Sequence, residues 1–298
     1  MSDKAAPSQL RVLAGIDLTE RSRNAFSRAV EMARSRGAAL TLLHVTSDAL
    51  PHQVAAAHDT FATDVLRDLV TKAQAEGVAN VTQVLVRGRD YEMIIEQARK
   101  ENSSLIVIGT HRPSSIIQDM LGTTADRVLR YGAFPLLMVR TKAERGYNTI
   151  LVAVDFSSAS QEALELVIRL FPQARIVTLT AYGSPRHSIL GDDRQAREAA
   201  ADTRRLALKG FLAEVARSLG PAYDPNVTKI VPVAERGWAE DVILRHAEEH
   251  KPDLIVVGTH ARGGLQHAVL GSVAEWVLTE APSDVLAVPP AVSGPQYP

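Results

Sequence analysis

LIVIGTHRPSSIIQDMLGTTADRVLRYGAFPLLMV (residues 105–139) aligns without a gap onto LIVVGTHARGGLQHAVLGSVAEWVLTEAPSDVLAV (residues 254–288), at an offset of 149 in a chain of 298 residues. RGRDYEMIIEQA (87–98) and RGWAEDVILRHA (236–247) keep that offset, while RVLAGIDLTERSRNAF (11–26) matches TILVAVDFSSASQEAL (149–164) at 138 and sets Asp17 against Asp155. A chain written twice reads as two copies of one structural unit. The two offsets differ by eleven residues (149 against 138), so the second copy is expected to carry an insertion in its middle. GSPRHSILGDDRQ (183–195) and GPAYDPN (220–226), both rich in Gly, Pro and Asp, are the candidates.

Each copy alternates short apolar runs with longer helical patterns. RVLAGI, ALTLLHV, VTQVLV, SLIVIG and PLLMVR read as strands of the first copy, because they are short, apolar on both faces and bounded by turn residues. Between them, Ala25, Ala29, Val30, Met32 and Ala33 form one helical stripe, and Ile94, Ile95 and Ala98 another. Strand and helix in alternation require a parallel sheet with helices on both faces. The expected fold is therefore α/β: two tandem doubly wound domains, flavodoxin-like or Rossmann-like, each a five-stranded parallel sheet flanked by helices. The expected boundaries are 1–142 for the first domain, 143–148 for a linker within TKAERGYN, 149–290 for the second domain and 291–298 for a flexible, proline-rich tail.

Composition narrows the function. Hydrophobic residues at 46% and charged residues at 22% describe an ordinary globular chain. A formal net charge of -1 supplies no global field for nucleic acid or an anionic membrane, so neither is expected as a partner. RRLALK (204–209) reads as three cations on an exposed helix face. Without cysteine there are no disulfides, thiolate metal sites or cysteine nucleophiles. MSDKAAPSQL lacks the apolar core of a secretory signal, and LIVIG and LIVVG are too short to span a bilayer, so the expected location is cytoplasmic.

Ligands of open parallel sheets bind beyond the carboxyl ends of the strands, where the strand order reverses. Asp155 ends the first strand of the second copy and Gly258 ends its fourth, so both are expected at one crevice. Gly271 and Ser272 open a helix whose apolar stripe runs through Ala274, Val277 and Leu278. A helix N-terminus binds anions through its unpaired N–H groups, and Ser272 is expected to serve as N-cap or hydroxyl donor. An acidic end for ribose hydroxyls and a donor-rich end for phosphates suit a nucleoside phosphate.

The spacing Gly-x-x-Gly, nine residues, Gly-Ser/Thr after a parallel strand, with an early V-D strand end, resembles the universal stress protein family, here in tandem over nearly the whole chain. That resemblance implies ATP, with Mg2+, as a ligand in the binding members. It assigns Asp17 or Asp155 and Val45 to the base and ribose end, and Gly109, Gly122 and Thr123, or Gly258, Gly271 and Ser272, to the phosphate end. The second glycine of the pattern is Arg112 in the first copy and Ala261 in the second, with Arg262 beside it and Gly263 and Gly264 downstream; Pro113 removes an amide donor. Val45 is matched by Ala181 or Tyr182. The second copy keeps more of the phosphate end and is the expected site for an adenine nucleotide.

No catalytic or metal-ligating residue is expected. The chain has no GxxxxGK[ST] loop, no GxGxxG fingerprint and no histidine pair at metal spacing, and His111 and His260 read as loop histidines without an acidic partner. The expected function is that of a cytosolic stress-response protein with the nucleotide as a regulatory ligand. A nucleotide-independent interaction scaffold with degenerate clefts, and a small-molecule carrier or weak ATPase, are the alternatives. The apolar last strands of the two halves, PLLMVR and DVLAVP, are expected to pair as an intramolecular pseudo-dimer; a homodimer of whole chains stays open, since the edge argument does not address it.

Overall fold

The computed structural model describes residues 10–20, 22–110, 123–183, 194–259 and 270–290. Two compact units divide the chain, one within Met1–Gly146 and the other within Tyr147–Ala291.

The first unit runs β1 (Arg11–Gly15), α1 (Ser22–Arg36), β2 (Ala39–Ser47), α2 (His52–Ala75), β3 (Val81–Gly88), α3 (Asp90–Lys100), β4 (Leu105–Gly109), α4 (Thr123–Gly132) and β5 (Leu136–Val139). The second repeats the order with β6 (Thr149–Ala153), α5 (Ser158–Leu170), β7 (Arg175–Tyr182), α6 (Arg194–Leu219), β8 (Lys229–Arg236), α7 (Ala239–His250), β9 (Leu254–Gly258), α8 (Ser272–Glu280) and β10 (Asp284–Val288). Every strand pair within a unit is parallel. In the first unit β1 lies between β2 and β4, with β3 outside β2 and β5 outside β4. In the second, β6 lies between β7 and β9, with β8 and β10 outside them.

This is the 3-2-1-4-5 order of a doubly wound sheet, and the order reverses between the first and fourth strands of each unit. Right-handed crossovers then send the first two helices to one face and the last two to the other. The central strands are buried on both sides, as their unbroken apolar runs demand: Leu13, Ile106, Ile150 and Ile255 are at most 1% exposed. Charge placement supports the helices. α3 begins with Asp90 and Glu92 and ends with Arg99 and Lys100, each complementing the nearby end of the helix dipole. No helix among the described residues is long and apolar enough to cross a membrane.

The two units leave the first strand by the same turn. The residue after each aspartate, Leu18 and Phe156, takes a left-handed conformation, with φ of 60° and 66°. For a side-chain-bearing residue that costs on the order of 1–2 kcal/mol. The turn is held by the aspartate itself. Asp17 Oδ1 accepts hydrogen bonds from Thr19 N at 2.9 Å and Thr19 Oγ1 at 2.8 Å, and Asp155 Oδ1 accepts from Ser157 N at 2.9 Å and Ser157 Oγ at 2.5 Å.

The eleven extra residues resolve into two changes. Ile16 N donates to Leu43 O as Val154 N donates to Leu179 O, both at 2.8 Å, so the second strands correspond at an offset of 136 (43 to 179). Leu43 pairs with Val84 and Leu179 with Val233, an offset of 149 (84 to 233). The second copy is thus two residues shorter before its second strand and thirteen longer between its second and third. Val45 therefore corresponds to Ala181.

Candidate functional site

In the second unit a crevice lies beyond the ends of β6 and β9, where the strand order reverses. Asp155, Gly258, Gly271 and Ser272, expected at one site from the sequence, all line it, and so do Ala181 and Ala239. Ala261 and Arg262 lie outside the described residues. Among the described lining residues, Asp155, Ser160 and Ser272 supply the polar side chains, and the rest are apolar or glycine. The Ser160 hydroxyl is committed to Ser157 O at 3.0 Å.

Asp155 is exposed at this crevice. Its Oδ1 holds the turn to Ser157, while no hydrogen bond reaches Oδ2 among the described residues. The N-cap of α5 is Ser157, whose side chain accepts from Ser160 N at 3.2 Å, so the aspartate is not spent on the helix.

At the other end, the N-cap of α8 is Gly271, and Ser272 is the first helical residue, not the cap expected from its hydroxyl. The reason is closure of the loop: Gly271 N donates to Thr259 O at 2.8 Å, which fixes the glycine in the cap position and withdraws its amide from any ligand. Ser272 is exposed and lines the crevice. Gly258 has a packing reason to be glycine. A Cβ built there would lie 2.9 Å from the Ala159 C and Cβ atoms and from Ser160 N, because the first turn of α5 crosses directly over the end of β9.

The long helix α6 adds a group that the sequence reading missed. Arg204, read as one of three exposed cations, is half-buried; its Nη2 donates to Ala181 O at 3.0 Å and its guanidinium lies 4.7 Å from the Phe156 ring centroid. Periodicity alone assigns a residue to a helix face and does not show that the face overhangs a strand end.

The first unit places Asp17, Val45 and Gly109 at corresponding strand ends. Arg112 and Gly122 lie outside the described residues, as do His111 and, in the second unit, His260. Thr123 opens α4, and its side chain also lies outside them. Here the crevice-lining positions carry larger or charged groups. Ile108 stands for Val257, Met93 for Val242 and Asp90 for Ala239. A Cβ on Gly15 would come within 3.2 Å of Ile108 Cγ2. Thr124 Oγ1 donates to Asp90 Oδ2 at 2.9 Å, joining α4 to α3 where the second unit has Val273 and Ala239. That carboxylate also sets a negative charge beside the end meant for phosphate. The signal was in the repeat: Asp90 and Ala239 stand at the same offset of 149.

Beside Val45 the first unit holds a histidine cluster. His44 is buried, and its Nδ1 lies 2.7 Å from Ile16 O, so Nδ1 carries the proton that it donates to the carbonyl. Among the described residues Nε2 has no hydrogen-bond partner, and the ring stacks on His58 at 5.2 Å. Burial lowers the His44 pKa from the usual histidine value more than the Ile16 carbonyl raises it; His58 lowers it further, while Asp17 and Asp59 pull it up. The folded pKa thus lies below the unfolded one. The stabilisation is complete above the unfolded value, about 6.5, and is lost as pH falls through the folded pKa. His44→Asn keeps an N–H donor for Ile16 O without titrating. Thermal denaturation from about pH 7.5 to about pH 5 is expected to show a smaller loss of stability in His44→Asn than in the wild type. Equal slopes would remove His44 from the pH response.

Among the described residues, no group of three or more His, Asp or Glu side chains is arranged to hold a metal ion.

The universal stress protein family profile matches the chain twice, over residues 10–140 and 146–289. A universal stress protein of Mycolicibacterium smegmatis is 24% identical over 310 aligned positions, covering 94% of this chain and 97% of that protein. Universal stress protein A homolog 1 of Coxiella burnetii is 29% identical over 143 positions, 44% of this chain and 96% of its own length. Among solved structures, a universal stress protein from Archaeoglobus fulgidus superposes with a TM-score of 0.70 at 20% identity, covering 94% of this chain and 98% of its own, and shares the fold. With both units matched in succession and little of the chain left over, this protein belongs to the universal stress protein family, as a tandem of two such domains.

Proposed function

We propose that the second unit binds an adenine nucleotide and that occupancy, not turnover, is the output. The observation that supports this reading is the convergence of Asp155, Gly258, Ser272 and the N-terminus of α8 on one open crevice at the strand-order reversal. Asp155 Oδ2, which accepts no hydrogen bond among the described residues, suits ribose hydroxyls, and the Ser272 hydroxyl with the first amides of α8 suits phosphates. Mg2+ would arrive on the phosphates, because the described residues offer it no ready-made cluster of ligands. The lining side chains favour binding over chemistry, being small and apolar apart from Asp155, Ser160 and Ser272. A cytoplasmic site of action in the stress response belongs to the same proposal.

Calorimetric titration of the full chain with Mg2+ and ATP tests it. Asp155→Asn keeps Oδ1 for the turn and loses the second charged acceptor. It is expected to weaken binding about tenfold, the scale of one hydrogen bond to a charged group. Failure of the wild type to bind any adenine nucleotide at millimolar concentration would refute the reading. One observation favours a second reading, a nucleotide-independent interaction scaffold: the Gly271 amide, an expected phosphate donor, is already bonded to Thr259 O. Binding of partner proteins unchanged by Asp155→Asn, with no nucleotide bound, is the result it requires.

A further inference from the structure

The C-terminal half of α7 carries a histidine pair that lies outside the crevice. HAEEH (246–250) sets His246 and His250 four residues apart, so the expectation of no histidine pair at metal spacing does not hold for this helix. Residues i and i+4 are neighbours on one helix face, and the two rings lie 4.2 Å apart between centroids, tilted by 56°. Two imidazoles in neighbouring positions of one ion, bound through nitrogens at about 2.0–2.1 Å, have their centres roughly 4.5–5 Å apart. A small rotamer adjustment therefore separates the pair from chelation. Glu235 Oε2, at the end of β8, lies 3.7 Å from His246 Nδ1, as carboxylates do behind metal-bound histidines. Among the described residues no hydrogen bond reaches His246 Nε2 or either ring nitrogen of His250. The His246 side chain is 13% exposed and His250 is exposed, so the pair opens to solvent at one end.

The surroundings suit a cation. His250 is the last residue of α7, at the negative end of the helix dipole, and Glu248 and Glu249 lie between the two histidines. Of the neighbouring basic residues, Arg245 is paired with Glu235 and Lys251 is exposed. The first unit has no counterpart. At the same offset of 149 stand Gln97 and Glu101; Gln97 Nε2 donates to Glu101 Oε2 at 3.3 Å, and Glu101 also accepts from Thr41 and Ser103.

We propose that His246 and His250 form a surface site for a divalent transition-metal ion of the imidazole-binding class, Zn2+, Ni2+ or Cu2+. Two protein ligands leave the remaining positions of the ion to water. This agrees with the lack of any group of three or more His, Asp or Glu arranged around an ion among the described residues. Mg2+ and Ca2+, which take oxygen ligands, are not held by such a pair. Neither histidine lines the crevice, and the inference does not rest on the nucleotide reading. The ion clamps the last turn of the helix whose earlier turns supply Ala239, Val242 and Ile243 to that crevice.

Zn2+ is the probe. Calorimetric titration of the full chain, without nucleotide and at about pH 7.5, where histidine is mostly neutral, is expected to show a saturable Zn2+ site that Mg2+ does not fill. His246→Gln introduces the residue that the first unit has at position 97, and His250→Gln changes an exposed side chain; glutamine is a good helix former. Each variant is expected to bind Zn2+ at least about tenfold more weakly, because the loss of an outer-shell partner alone typically costs that much. Zn2+ is also expected to raise the melting temperature of the wild type more than that of either variant, since it binds the folded site. Zn2+ affinity unchanged in His250→Gln assigns the ion to other histidines among the nine of the chain and overturns the proposal. A wild type that binds no Zn2+, or binds Mg2+ equally well, overturns it without any variant.

Discussion

Gly258→Ala is expected to destabilise the ligand-free protein by roughly 1–3 kcal/mol, the usual cost of forcing extra atoms into a packed site. The sign is set by competition between two effects. Gly258 has no left-handed φ, so alanine relieves the unfolded chain of conformational freedom and alone would stabilise by about 0.4–1 kcal/mol. Against this, the new methyl would sit 2.9 Å from three atoms of α5, two of them backbone. No rotamer change relieves a clash with backbone, so α5 must lift from β9, and Asp155 and Ser160 at its start move with it. Chemical denaturation without nucleotide measures the effect. If glycine is needed there only so that a phosphate can approach, stability will be unchanged and affinity alone will fall. Gly258→Val should lose more than Gly258→Ala, because its branched side chain meets the same wall.

Tyr147→Phe is expected to lose about 1.5–3 kcal/mol, the range for a hydrogen bond to a charged group. Tyr147, at the entrance to the second unit, donates through its hydroxyl to Asp284 Oδ2 at 2.6 Å across 137 residues of sequence. Asp284 is fully buried at the start of β10 and Tyr147 is 5% exposed, so water cannot readily replace the lost donor. The ring stays in place in the variant, edge-on to Phe171 at 5.3 Å, which isolates the hydroxyl. Equilibrium denaturation checks the loss, and a cycle with Asp284→Asn separates the pair from the rest of the site. A change within about 0.5 kcal/mol, the level of an ordinary surface substitution, would show that other groups carry the buried carboxylate.

The repeat made both units and the location of the crevice legible, because hydrophobic period and strand-to-helix alternation dictate a doubly wound sheet and the sheet dictates where a ligand enters. What stayed hidden depends on how one element ends against another. Gly258 reads as part of a phosphate loop until the first turn of α5 is seen lying across it. Ser272 reads as a cap until Gly271 is seen bonded to Thr259. Arg204 reads as surface charge because a helical period assigns it to a face and does not show what that face packs against. The difference between the two crevices was within reach of the sequence, since Asp90 and Ala239, or Ile108 and Val257, are adjacent once the copies are overlaid.

Asp17 and Asp155 give up their rotamer freedom when the chain folds, since each is tied to the hydroxyl and amide two residues on. Immobilising such a side chain costs about 0.5–1.5 kcal/mol when it happens at association. Here that entropy loss falls on folding, and a ligand meets a carboxylate already aimed. The same tie makes the aspartate a requirement of the backbone in both units, including the one whose crevice is narrowed by Ile108 and bridged by Asp90. An aspartate after the first strand is therefore a mark of how the chain turns, and it does not by itself tell a binding copy from a silent one.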